Sequence, residues 1–123
     1  SDTVVRSYLA RFDGSRVADQ VREAVIARLS LGEPQRAAIA KQLHLGDKTL
    51  QRRLAEEGTS FLLLVDETRA ELGRRYVTDA SIPLAEVAFR LGFAEQSGFT
   101  RAFRRWTGTT PTAFRANPRM PRG

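Results

Sequence analysis

The sequence predicts an all-α domain of about seven helices, arranged as two helix-turn-helix subdomains joined by a long central helix. Three observations predict it. Apolar residues recur at the three- and four-residue spacing of helices, and no stretch alternates as a strand does. Glycines and prolines cut this pattern into mostly short segments. A run of apolar and basic positions between Ile39 and Gly58 returns between Val87 and Gly108.

At 123 residues the chain suffices for one domain with a modest core. Residues 1–14 carry Val4, Val5, Tyr8, Leu9 and Phe12 at helical spacing, but Asp13-Gly14 breaks the pattern. A linker or a short helix is expected there. Ser15 suits an N-cap. Val17, Val21, Val25 and Leu29 then repeat every four residues, and the helix is expected to end near Leu31-Gly32. Pro34 suits the first position of the next helix, which Ala37, Ile39, Ala40 and Leu43 continue. After His44-Leu45-Gly46, a helix over about residues 47–57 turns Leu50 and Leu54 to the core, and Asp47 suits its N-terminus electrostatically.

Ser60 is placed to cap the longest helix, which runs to about Thr78. Phe61, Leu64, Val65, Thr68, Leu72 and Tyr76 form its buried face. Leu62 and Leu63 fall off that face: either the helix is buried on two sides, the favoured expectation, or it keeps an apolar strip for a partner. Pro83 starts a helix with Val87, Ala88 and Leu91 inward, and Gly92 supplies the turn that ends it. A helix over about residues 95–107 follows, with Phe99, Phe103 and Trp106 at i, i+4 and i+7. Thr110-Pro111 starts a last short helix with Ala113 and Phe114 inward.

The internal match is specific. Ile39-Ala40, Leu43, Leu45, Leu50, Arg52 and Leu54 recur as Val87-Ala88, Leu91, Phe93, Phe99, Arg101 and Phe103. The second turn holds one extra residue, and Gly58-Thr59 and Gly108-Thr109 close the two units. A duplicated helix-turn-helix accounts for this. The helix between the units spans roughly 27–30 Å at 1.5 Å per residue, close to the turn of B-DNA, about 34 Å. Second helices held that far apart suit successive major grooves on one face of a duplex.

Charge points the same way. Lys plus Arg is 20 against 14 acids, for a net +6, and only Lys41 and Lys48 are lysine. Residues 1–89 balance. The excess comes from Arg90, Arg101, Arg104, Arg105, Arg115, Arg119 and Arg122, set against Glu95 alone. A basic stripe beside a candidate reading helix suits a polyanion, and arginine matches guanine and phosphate with its fork.

On a wheel of about 100° per residue, Lys48 and Arg52 lie opposite Leu50 and Leu54, with Thr49 and Gln51 on the flanks. Reading helices touch bases mainly with their first turns. Lys48, Thr49, Gln51 and Arg52 are therefore candidates for base contacts, with Gln suited to adenine and Arg to guanine. On the later helix the candidates are Gln96, Ser97, Thr100 and Arg101, with Arg101 foremost. Arg53, Ser60, Arg104, Arg105 and Thr110 are candidates for phosphate. Helix starts at Pro34, Pro83 and Pro111 offer backbone N–H groups to phosphate as well. Gly98 lowers helix propensity by roughly 1 kcal/mol against Ala. Either the helix tolerates it or the backbone approaches DNA closely there.

Other classes find little support. The single histidine, His44, sits at a helix end, and no carboxylate cluster, phosphate-cradling glycine loop or Ser-His pair stands out. No enzyme, cofactor or metal is expected. Without cysteine there is no disulfide or thiolate site. No apolar run approaches a membrane span. The alternative to DNA binding is a helical protein-interaction module that uses Leu62, Leu63 and the basic face to bind an acidic partner.

Residues from about Val17 to Arg115 resemble the DNA-binding domain of AraC/XylS-type transcription regulators. The similar stretches are IAKQLHLGDKTLQRRLAEEGTSF (39–61), LAEVAFRLGFAEQSGFTRAFRRWTGTTP (84–111) and the closing Phe114-Arg115. The resemblance implies a seven-helix double helix-turn-helix domain that binds double-stranded promoter DNA, in bacterial cytoplasm, often with a contact to RNA polymerase. It implies base contacts from Lys48, Gln51 and Arg52 and from Gln96, Ser97, Thr100 and Arg101. Many such proteins carry an N-terminal domain for an effector or for dimerisation. The expected organisation is then residues 1–14 as a linker or residual connection to such a domain and residues 15–116 as the double helix-turn-helix, its first unit about 36–58 and its second about 83–108. Residues 117–123 are expected to form a flexible basic tail. Gly46 and Ala94 stand where such domains commonly have a Ser or a similar cap.

Overall fold

The architecture is built around the 18-residue helix Phe61–Thr78. In the computed structural model, which describes residues 2–118, the elements are α1 (Asp2–Leu9), α2 (Val17–Arg28), a 3₁₀ turn (Leu29–Leu31), α3 (Arg36–Gln42) and α4 (Asp47–Glu56). Then come α5 (Phe61–Thr78), α6 (Leu84–Arg90), α7 (Gln96–Thr107) and α8 (Pro111–Ala116). There is no strand among the described residues. The last part of the expected tail, residues 119–123, lies outside them.

α5 touches α1, α2, α6, α7 and α8, so it is the common wall of both halves. Its expected face is buried, and so are Arg69, Ala70, Gly73 and Val77. Gly73 has a packing reason. A Cβ there would lie 3.2 Å from Leu91 Cδ1 and 3.3 Å from Trp106 Cζ3, so those side chains would have to give by a few tenths of an ångström. Ser60 caps the helix as expected, its Oγ accepting from the Leu63 N–H at 3.2 Å. Leu62 and Leu63 do not find the second buried face expected of them. They are 75% and 52% exposed, because none of the described helices covers that side of the first turn of α5.

Two helix-turn-helix units flank α5, α3–α4 and α6–α7. Their turns match in detail. His44 and Gly92 both take left-handed φ, 60° and 86°. The Leu45 N–H donates to Ala40 O at 2.9 Å and the Phe93 N–H to Ala88 O at 3.0 Å, the same six-residue closure of the helix end. The second helices then start one residue out of step, after Gly46 and after Glu95. The inserted residue is therefore Ala94, and the cap position of α7 belongs to Glu95 and not to Ala94. Neither Gly46 nor Glu95 gives a side-chain cap bond. Leu50, Leu54, Phe99 and Phe103 are each fully buried, worth about 1.5–3 kcal/mol apiece.

The helix starts differ from expectation in three places. α2 starts after Arg16, not Ser15, whose N–H and hydroxyl both donate to Asp13 Oδ1. The Val17 and Ala18 N–H groups donate instead to the Glu57 carboxylate, at 3.0 and 2.8 Å. α3 starts after Gln35, which puts Pro34 outside the helix, and Pro83 is the cap of α6, just outside its first turn. Thr110-Pro111 behaves as expected, with Thr110 Oγ1 accepting from the Ala113 N–H at 3.1 Å.

The first segment is a helix packed into the domain. Tyr8 of α1 is buried and meets the Phe12 ring edge-on at 5.4 Å. Arg22 lies 3.9 Å over that Phe12 ring, and Arg75 of α5 donates to Ser7 Oγ at 3.0 Å. Together with a break at Gly14, φ 80°, this makes eight helices among the described residues where about seven were expected.

Candidate nucleic-acid interface

Each second helix turns an apolar stripe inward, α4 to α2 and α3 and α7 to α5, α6 and α8, and leaves the opposite face bare. On α4, Lys48, Gln51, Arg52 and Arg53 are exposed and Thr49 is half-buried. On α7, Gln96, Ser97, Arg101, Arg104 and Arg105 are exposed and Thr100 is half-buried. All candidate base-contacting residues thus sit on or beside the outer faces of the two second helices.

The side chains on α4 are held by a local network. Arg36, at the first position of α3, grips Asp47 with Nε and Nη2, at 2.7 and 3.1 Å. That bond holds the Asp47 carboxyl below its ordinary value. Asp47 Oδ2, the oxygen that Arg36 Nη2 reaches, also accepts from Gln51 Nε2 at 3.2 Å. Arg52 leans on Glu56 one turn on, Nη1 to Oε2 at 3.2 Å. Such an exposed pair is weak, so Arg52 can exchange Glu56 for an outside acceptor at small cost.

On α7 the arginines divide. Arg105 is taken up by Asp66 of α5, at 3.0 and 3.1 Å, and the Trp106 indole N–H donates to the same carboxylate at 3.0 Å. These bonds keep the Asp66 carboxyl below its ordinary value against the opposing effect of burial. Among the described residues, Lys48, Arg53, Arg101 and Arg104 make no ion pair. Gly98 has room around it: a Cβ would meet Phe93 Cδ1 at 3.6 Å and Arg101 Nη2 at 3.9 Å, ordinary contact distances. Packing within the protein does not require glycine there.

Ser60 and Thr110, candidates for phosphate, each spend a lone pair as a helix cap and keep the hydroxyl proton for an acceptor outside. Arg115, counted with the basic excess, is structural. It donates to Val77 O, Asp79 O and Ile82 O at 2.8, 3.1 and 2.7 Å and so closes the C-terminal end of α5. Among the described residues no group of His, Asp and Glu is placed to hold a metal ion, and no helix is long and apolar enough to cross a membrane.

Arg36 holds the start of α4 and Asp66 the end of α7, Glu57 caps α2 and Arg69 grips the second turn, and none of the four stood out in the sequence. Only Arg69 left a local signal, since it falls on the stripe of Val65, Leu72 and Tyr76, where a charge is out of place.

Known proteins share this arrangement. The helix-turn-helix domain family matches residues 39–117. The ornithine utilization regulator of Pseudomonas aeruginosa is 37% identical over 99 residues, 80% of this chain and 29% of that protein. The chain spans about a quarter to a third of the length of such curated relatives. A DNA-binding transcriptional dual regulator from Escherichia coli K-12 superposes with a TM-score of 0.76 at 26% identity, over 82% of this chain and 90% of that one. The C-terminal domain of AraT, a response regulator from Geobacillus stearothermophilus, does so with a TM-score of 0.75 at 25% identity, over 89% and 90%.

Proposed function

The chain belongs to the AraC-type helix-turn-helix family, and on that premise we propose that it binds double-stranded promoter DNA in a sequence-specific way to regulate transcription. α4 and α7 enter successive major grooves. Lys48, Thr49, Gln51 and Arg52 read one half of the site; Gln96, Ser97, Thr100 and Arg101 read the other. Arg53, Ser60, Arg104, Arg105 and Thr110 hold phosphate. The observation that carries this is the pair of matching turns, which leaves unpaired cations on the bare faces of two second helices, Lys48 and Arg53 on one and Arg101 and Arg104 on the other. The two faces differ, so the site is asymmetric.

A contact to RNA polymerase and an N-terminal effector or dimerisation domain complete the reading. The greater length of the relatives supports the second of these. Such a protein works in the bacterial cytoplasm, at the nucleoid when bound. The test is selection from random duplexes. It is expected to return one site of about 17–20 base pairs with two blocks of preferred bases about one turn apart. Recovery of a single short block would leave one helix without a reading role.

A further inference from the structure

The two reading units meet at a joint that their link through α5 does not by itself require. Arg69 of α5 is 7% exposed. Its Nε donates to Leu91 O at 2.7 Å, and its Nη2 lies 3.4 Å from Gly92 O and 3.1 Å from Glu33 Oε1. The guanidinium carbon stands 4.6 Å from the centre of the Phe93 ring. Leu91 to Phe93 is the second turn. Glu33 belongs to the loop that leads into α3, the first helix of the other unit. One buried guanidinium therefore ties α5, the second turn and the start of the first unit together.

Gly92 makes the joint tight. A Cβ on it would lie 2.4 Å from Leu29 O and 2.8 Å from Gly32 O, so the second turn rests directly on the backbone of the 3₁₀ turn. A buried charge is costly unless it is paired and hydrogen-bonded. Here two carbonyls, a carboxylate and a ring face meet that need, and no candidate base- or phosphate-contacting residue touches Arg69.

We propose that Arg69 is a positioning residue that fixes the second unit against the first, and so sets the spacing between half-sites that the domain accepts. The spacing part rests on the DNA-reading assignment above. One added base pair turns the second half-site by about 34–36° and moves it by about 3.4 Å. A stiff joint accepts one spacing, whereas a loosened one accepts several.

Two readouts test this, one of them without DNA. The chain has no cysteine, so Ala55→Cys on α4 and Ala85→Cys on α6, both exposed, take spin labels cleanly. With Arg69 intact, the label-to-label distance by pulsed electron resonance is expected to be single and narrow. Arg69→Met is expected to broaden it; Glu33→Ala, a milder change at a 61% exposed carboxylate, should broaden it less. Arg69→Lys, which keeps the charge without the fork, should restore it only in part.

In the second readout, the selected duplex is compared with versions carrying one base pair more or fewer between its halves. The original domain should lose about tenfold or more in affinity on either change, the order of one spoiled base contact. Arg69→Met should bind all three duplexes within about threefold of one another. Circular dichroism and thermal melting establish that each variant is folded at the assay temperature. Should Arg69→Met not fold, Glu33→Ala carries both readouts. A folded variant with an unchanged distance distribution overturns the joint, and a broadened distribution with an unchanged spacing profile overturns its role in specificity. If the original domain binds every duplex alike, the function assigned above fails and the spacing role with it, while the distances still decide the joint.

Discussion

Asp66 on α5 holds Arg105 on α7 at two points, 3.0 and 3.1 Å, and takes a third bond from the neighbouring Trp106 indole. The contact fastens the C-terminal half of a reading helix to the central one. It also keeps one cation of the second unit occupied.

Asp66→Asn is expected to keep the Trp106 bond and release Arg105. DNA affinity should then rise, and the slope of log affinity against log salt should steepen by up to about one unit. The loss of folding stability should stay below about 1 kcal/mol, because the ion pair is largely open to solvent. Binding titrations over a series of salt concentrations check this. An unchanged slope would mean that releasing Arg105 from Asp66 adds no phosphate contact.

Acid should unfold the domain through its paired carboxylates. Asp47 is held below its ordinary value of 3.8 by Arg36, and Asp66 by Arg105 and Trp106. Burial pushes Glu71 up, but bonds from Arg74 and Arg75 bring it below its ordinary 4.5. Each group binds its proton more weakly folded than unfolded, so its contribution is complete above the ordinary values. It fades as pH falls through the lowered ones. Chemical unfolding across pH should therefore give a plateau above about pH 5 and a decline below about pH 4. A decline beginning near neutrality would point to other groups.

Glu57 caps α2 from 40 residues away, accepting from Val17 and Ala18 while Arg16 donates to Glu57 O at 2.9 Å. Glu57→Ala should lower stability by about 1–2 kcal/mol, the usual cost of a lost cap. The preferred DNA sequence should not change, since no candidate base contact is moved. Urea unfolding and repeat selection separate the two effects.

Gly98→Ala is expected to stabilise α7 by up to about 1 kcal/mol, because the added methyl meets only ordinary contacts. Its effect on DNA then distinguishes tolerance from close backbone approach. Melting temperature and affinity measured on one preparation should both rise if the position is merely tolerated. Greater stability with weaker binding would place the DNA backbone against Gly98.

The sequence carried the local part of this design. Apolar stripes at 50/54 and 99/103 mark the buried faces, and the paired turns could be aligned before their shared left-handed geometry was known, even though His44 stands in one where Gly92 stands in the other. Periodicity and turn chemistry act over a few residues and leave a local trace. Glu57 with Val17, Asp66 with Arg105 and Arg69 with Leu91 are meetings of residues far apart in the chain, and the neighbouring sequence names neither partner to the other, even where Arg69 is out of place on an apolar stripe. α5 misled for a related reason. Its neighbours cover it on several sides along most of its length but not at Leu62 and Leu63, and a run of apolar residues does not say where cover ends. At the outer faces, residue type and wheel position were enough to name candidates. Which arginines are already engaged, Arg105 by Asp66 and Arg115 by three carbonyls, depended on the fold.

The central claim is that α4 and α7 each read their own half of one site, and base preferences of Arg52→Ala and Arg101→Ala at every position of the selected duplex test it most directly. Arg52→Ala should relax preference in one block only and Arg101→Ala in the other, each costing about 1–3 kcal/mol on the original site. Preferences that stay unchanged in both variants, or that relax in the same block, would contradict it.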